Sequence, residues 1–243
     1  MTAARTLATA RRVLLQLRHD PRTLAMLLVV PVALMGLLAW ILPGRVFDLW
    51  GPPLLGIFPL LVMFLVTSVA TLRERTSGTL ERLLSMPAGR GDLIFGYAVA
   101  FGLLALVQAV VVSSLAFGAF GMDVAGSAWL VGVVAVVDAL LGTALGLFVS
   151  AFARTEFQAV QFMPLVLVPQ LLLCGLIVAV DDLPTVLRWL ARALPLTYAV
   201  DATREVIHSA TTTAAFRADV ALLAAYALAL LALGAGTLRR RTA

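Results

Sequence analysis

Residues 53–72 read PLLGIFPLLVMFLVTSVATL, and residues 73–87 read RERTSGTLERLLSMP. The first stretch holds twenty residues without a charge. At 1.5 Å per residue it is long enough, as a helix, to cross a hydrocarbon core of about 30 Å. The second is a charged island with helix-forming residues, and the apolar character resumes near Leu93. The island must therefore emerge at a membrane face, where it is expected to form a short exposed helix and to serve as a docking surface.

The whole chain repeats this pattern. Of its 243 residues, 62% are hydrophobic and 13% charged, with a mean hydropathy of +1.03. A soluble domain carries about 25% charged residues, so this is a polytopic membrane protein. Apolar runs of spanning length lie at about 24–42, 53–72, 93–120, 128–152, 159–180 and 220–238. They are continuously apolar rather than alternating, which selects helices over a barrel because each segment must satisfy its own backbone. The expected fold class is all-α, with six transmembrane helices in a single membrane domain over 23–243, after a short helical segment over 1–22.

Arginine sets the orientation, because the chain contains no lysine. The segments on the N-terminal side carry thirteen arginines against five acidic residues, and those on the opposite side carry five against seven. The positive-inside rule then places both termini in the cytoplasm, and six crossings agree with that parity. The net charge of +5 is thus a topology signal. No basic run is interleaved with aromatics on a soluble face, so nucleic acid is not an expected partner.

The first 22 residues are basic, but no small-residue cleavage site follows the apolar run, which ends in Trp40, Ile41, Leu42 and Pro43. A secretory signal is therefore not expected. On a helical wheel Arg5, Thr9, Arg12 and Gln16 share one face and Leu7, Ala10, Leu14 and Leu17 the other, predicting an amphipathic helix at the cytoplasmic interface. Asp20 and Pro21 break it before the first span.

Catalytic chemistry has little to stand on. The single cysteine, Cys174, lies in an apolar span, and His19 and His208 fall on opposite sides of the membrane. Neither HExxH nor GxSxG occurs, and a P-loop needs the lysine that is missing. The expectation is a non-enzyme that binds no metal or cofactor itself, so any energy from ATP must come from another subunit.

Polar residues within the spans are few. Asp138 lies in the middle of the fourth, where an ionised carboxylate costs about 2.5–3.5 kcal/mol on insertion scales, so it should face protein or water. Gly142, Gly146 and Ser150 follow at helical spacing and form a small-residue face along which another helix can approach. Asp138 is read either as a packing aspartate or as a carboxylate on a substrate or proton path. Gln108, Gln161 and Gln170 are expected to bridge helices.

The external region 181–219 contains LPTVLRWLARALPLTYAVDATREVI over 183–207. Leu183, Leu187, Leu190 and Leu194 recur at near-helical spacing, with Pro184 in a first turn and Pro195 as a stop, predicting two short amphipathic helices. They either cap the external mouth or dip back into the membrane.

Two motifs now carry a resemblance. Glu74, Gly78, Thr79, Glu81, Leu83 and Pro87 match ExxxGTxExLxxxP, and Leu183, Pro184, Trp189, Pro195, Thr197, Tyr198 and Arg204 follow an LP…W…PxTY…R pattern. With six spans at matching spacing, the chain resembles the permease subunits of type-2 ATP-binding-cassette exporters, a group that includes drug, polysaccharide and lipid exporters. It departs from their pattern after Gly175, where Leu176, Ile177, Val178 and Ala179 replace the usual aromatics and proline.

The resemblance implies a dimer with a second permease copy or paralogue in a bacterial plasma membrane, joined to separate ATP-binding-cassette ATPase subunits that hold ATP and Mg. The island becomes a coupling helix over 73–87, with Glu81 and Arg82 as exposed charges and Leu80, Leu83 and Leu84 as its apolar face. An interior with few fixed charges suits a hydrophobic drug or lipid-like substrate. Two other classes stay open. A secondary transporter needs inverted repeats and a coupling carboxylate; a structural or sensory subunit would tolerate charge reversal across the island.

Overall fold

The computed structural model describes residues 3–77 and 90–237, and among these all regular structure is helical. The helices are α1 (Ala3–Arg18), α2 (Pro21–Ile41), α3 (Gly44–Thr76), α4 (Arg90–Gly118), α5 (Ala128–Ser150), α6 (Glu156–Leu173), α7 (Thr185–Arg192), α8 (Pro195–His208) and α9 (Ala214–Thr237), with a 3-10 turn at Val180–Asp182. Six of them, α2 to α6 and α9, are long and apolar enough to cross a membrane. The fold is thus an all-α bundle with six membrane-spanning helices.

Three helix limits differ from the hydropathy reading, each for a local reason. α3 starts at Gly44 rather than near 53, because Phe47 is buried and Gly51 sits against Met122, giving this first part a packed face. Its 33 residues reach about 50 Å, more than a hydrocarbon core requires. α6 stops at Leu173 rather than near 180, because Gly175 takes a φ of +89, a conformation that glycine alone adopts without cost. α9 starts at Ala214 rather than near 220: the Thr213 hydroxyl accepts from the Phe216 amide and donates to Glu205.

The centre of the bundle is the pair α3 and α5. A Cβ on Gly142 would lie 2.3 Å from the Leu60 carbonyl oxygen, and one on Gly146 would lie 2.6 Å from that of Phe64. No side chain fits there, so the two backbones touch. One step further along, a Cβ on Gly56 would stand 2.8 Å from an Asp138 carboxyl oxygen. Around this pair runs one apolar core shared with α8 and α9, containing Leu60, Phe64, Leu141, Val200 and Leu223. A second core joins α1, α2 and α4 to the same pair through Val13, Leu27, Phe101, Met63 and Ala139.

One buried carbonyl that a proline leaves open is closed by a side chain. Pro31 has no N–H for the Leu27 carbonyl in α2, and Gln108 of α4 donates to that oxygen at 2.7 Å. Gln108 thus bridges two helices as its sequence position suggested. Gln170 instead donates to Val166 of its own helix, and Gln161 is exposed, so neither bridges helices within this chain.

α1 also departs from its helical wheel. Its docked face is Ala10, Val13 and Leu17, packed on the first turns of α4, while Leu7 on the expected apolar face is 61% exposed. Thr9, from the expected polar face, sits so close to Gly96 that a Cβ there would come within 2.5 Å of its Cβ. The helix is rotated toward the protein because α4 offers it a groove at Gly96.

Gly142→Ala should force α3 and α5 apart and lower the midpoint of thermal unfolding in detergent by several degrees. Gly132→Ala on the same helix, where the nearest atom would be Ser113 Oγ at 3.7 Å, should leave the midpoint unchanged or raise it.

Candidate functional site

The apolar run of α3 ends at Leu72, but the helix continues through Arg73, Glu74 and Arg75 to Thr76. Successive helical residues point about 100° apart, so these three side chains fan out toward three different elements. Glu74 receives two hydrogen bonds from Arg12 of α1, at 3.1 and 3.0 Å. The same guanidinium donates to the Tyr97 hydroxyl of α4 at 3.0 Å. Arg73 makes a two-pronged pair with Glu156 in the first turn of α6, at 2.7 and 2.9 Å. Arg75 donates to the Ser150 carbonyl at the end of α5, at 2.7 Å, where the helix dipole favours a cation.

The last turn of α3 is therefore tied directly to α1, α5 and α6, and through Arg12 to α4. These ties differ in strength. The Arg12–Glu74 side chains are 27% and 15% exposed, whereas those of Arg73 and Glu156 are 57% and 52% exposed. An exposed pair contributes about 0.2–1 kcal/mol, while a bidentate pair withdrawn from water is stronger and costly to break from one side. The turn also carries the first residue of the ExxxGTxExLxxxP motif. The remainder of that motif, Gly78, Thr79, Glu81, Leu83 and Pro87, lies outside the described residues, as do Arg82 and most of the expected coupling helix.

Beside this turn a cleft of about 570 Å³ opens between α1, α2, α3 and α4, with Val160 of α6 at its edge. Its walls are apolar, from Leu17, Met26, Val66 and Phe101. Gln16, Asp20, Thr23, Arg73, Glu74 and Tyr97 form its polar part. Asp20 is the N-cap of α2; hydrogen bonds from the Thr23 hydroxyl and then the Thr23 amide hold its carboxyl below the usual range. Such a lining can receive an amphipathic molecule, with its tail among the valines and its polar end near α1.

At the opposite end, the second motif is mostly a knot between short helices. Pro184 caps α7 and Pro195 opens α8. Thr197 donates to the Ala191 carbonyl at 2.7 Å, and Tyr198 donates to that of Arg192. Tyr226 of α9 stacks on Tyr198 and donates to the Ala193 carbonyl. Arg204 donates to the Gly175 carbonyl, just where α6 has ended. Much of α8 is buried against α3, α5 and α9, so it dips into the bundle rather than lying across its mouth. Trp189 stands apart, 72% exposed on α7.

Asp138 is fully buried between α5 and Gly56, and neither carboxyl oxygen has a hydrogen-bond partner among the described residues. It lies about 18 Å along α5 from Ser150, so the structure does not bring it to the cleft. Sequence reasoning named Glu74 but missed its partners. Tyr97, Arg73, Arg75 and Glu156 carry no motif, and Arg12 entered only as part of a polar helix face. The two-pronged bond from Arg12 to Glu74 joins residues 62 positions apart, which no periodicity reveals.

Comparison with known proteins agrees with this architecture. A family model described as ABC-2 type transporter matches residues 5–208. The chain is 32% identical over 142 residues to ABC transporter G family member 20 of Dictyostelium discoideum, covering 58% of this chain and 20% of that protein. It is 29% identical over 155 residues to the probable multidrug ABC transporter permease YbhR of Escherichia coli, covering 64% and 42%. It is 26% identical over 153 residues to the inner membrane transport permease YhhJ of Escherichia coli, covering 61% and 40%. The matched stretch thus spans less than half the length of each of these relatives.

A double-mutant cycle with Arg12→Gln and Glu74→Gln, read by reversible unfolding in mixed micelles, should give a coupling energy of about 1–2 kcal/mol. The cycle with Arg73→Gln and Glu156→Gln should give about 0.5 kcal/mol or less.

Proposed function

Since the chain belongs to the ABC-2 type transporter family, and is therefore a membrane transport component, we propose that it is the transmembrane subunit of an ATP-driven exporter, working as a dimer and moved by separate ATPase subunits. ATP and Mg are held by those partners. The observation that supports coupling at this position is the last turn of α3, where three consecutive side chains bind α1, α5 and α6 directly and, through Arg12, reach α4. A displacement applied to the following segment, 78–89, reaches α1, α4, α5 and α6 together through that turn. The motif residues Gly78, Thr79, Glu81, Leu83 and Pro87, together with Arg82, would supply the surface on which the ATPase pulls.

The α1 end faces the cytoplasm in this reading, consistent with its thirteen arginines, and both termini lie on that side. α2 and α6 keep much of their apolar surface outward, with Met26 and Val29 about 60% exposed and Phe157 and Leu165 about 70% exposed, which suits contact with a second permease copy or with lipid. The cleft beside α2 and α3 would then admit substrate from the inner leaflet. Its apolar walls and polar rim favour a hydrophobic drug or a lipid-like compound, and the word multidrug in the name of the Escherichia coli relative YbhR points the same way.

Co-expression with a candidate ATP-binding-cassette ATPase subunit tests the reading. The two should co-purify, and Glu81→Arg should abolish ATP-dependent export by reconstituted vesicles while leaving membrane insertion normal. Unchanged export by that variant would refute coupling through this segment.

A further inference from the structure

Among the arginines at the α1 end of the bundle, two groups stand out. Arg12, Arg73 and Arg75 are bound to neighbouring helices. Arg11, Arg18 and Arg22 are exposed, and their side chains have no counter-charge among the described residues. The nearest carboxyl in sequence, Asp20, is occupied by Thr23.

The exposed group has a pattern. Leu7, Arg11, Leu15 and Arg18 fall at i, i+4, i+8 and i+11, so they form one stripe, turned away from the docked face of Ala10, Val13 and Leu17. Leu7 and Leu15 are 61% and 41% exposed, unusual for leucines on a helix that otherwise faces water. Beside the stripe lies a shallow groove of about 660 Å³ lined by Ala8, Arg11, Arg12, Leu15, Gln16 and His19. Its height is fixed by the chain, because only His19 and Asp20 separate α1 from the spanning helix α2, and because α1 packs on the first turns of α4. The stripe is thus held level with the membrane boundary.

We infer that this face of α1 binds the phosphate headgroups of anionic phospholipids in the leaflet where α2 enters the membrane. The leucines enter the acyl region while the arginines reach back to phosphate, to which guanidinium can bond in two-pronged fashion. The arginines without a counter-charge among the described residues supply the charge complementarity, and the bilayer lies alongside them because the spanning helix α2 begins three residues after Arg18. Lipid held there anchors α1, and through Arg12 and Glu74 it braces the last turn of α3. The inference rests on the proposed function only for the choice of the cytoplasmic leaflet.

The test uses the purified full-length chain in neutral detergent, without ATPase or transport, so its failure leaves the exporter reading standing. Phosphatidylglycerol should raise the unfolding midpoint by several degrees and leave bound lipid visible in native mass spectra, whereas phosphatidylcholine should do neither. The triple variant Arg11→Gln, Arg18→Gln and Arg22→Gln should fold with an unchanged lipid-free midpoint and lose most of that response. A control, Arg45→Gln with Arg217→Gln, removes two exposed arginines from the other end and should keep it. Retention of phosphatidylglycerol by the triple variant, or equal loss in the control, would overturn the inference. So would an equal shift produced by inorganic phosphate, which marks a free-anion site.

Discussion

The close approach of α3 and α5 holds the molecule together. Where Gly142 and Gly146 meet the carbonyls of Leu60 and Phe64, the absence of a Cβ lets two backbones pack in direct contact. Within a bilayer, helices gain little from hiding apolar surface, because lipid is equally apolar, and close packing takes over as the source of association. Both apolar cores are built on this pair, one toward α8 and α9, the other toward α1, α2 and α4. The position of everything at either end follows from it.

At one end, the rigidity of α3 is what makes its final turn meaningful. A helix of 33 residues held along its length by α5 projects Arg73, Glu74 and Arg75 beyond the apolar region at a fixed height and rotation. Their partners come from the beginnings and ends of other helices, so the turn collects four elements into one junction beside an amphipathic cleft. At the other end, α8 is inserted against the same pair, and Arg204 bonds to the carbonyl at the break after α6. Proposed coupling at one end and the tied break at the other are therefore connected through the α3 and α5 pair.

Much of this order was legible in the chain. The six spans were visible as uninterrupted apolar runs, and Gly142, Gly146 and Asp138 as the small and polar residues of one helix face. The short helices after α6 were visible from Pro184, Pro195 and the leucine spacing. Helix ends were less legible, because they are set by single local events: the left-handed Gly175, the Thr213 cap and the packing of Phe47 against Met122. The wheel of α1 misled, since hydrophobicity alone placed Thr9 outward while a glycine on α4 offered it a close fit.

By itself, the sequence determined the class of protein, the number of crossings, the charge asymmetry across them and the two motifs that led to the family. These are local or additive properties: transfer into a bilayer sums over some twenty neighbouring residues, and basic residues act on orientation loop by loop. Only the tertiary structure decided that Arg12 meets Glu74 and Tyr97, that Gln108 closes the carbonyl opened by Pro31, and which arginines of the N-terminal helix remain without a counter-charge among the described residues. Those pairings depend on the rotation and height of each helix against its neighbours, and these are set by where backbones can come close, which is a property of two helices together rather than of either one.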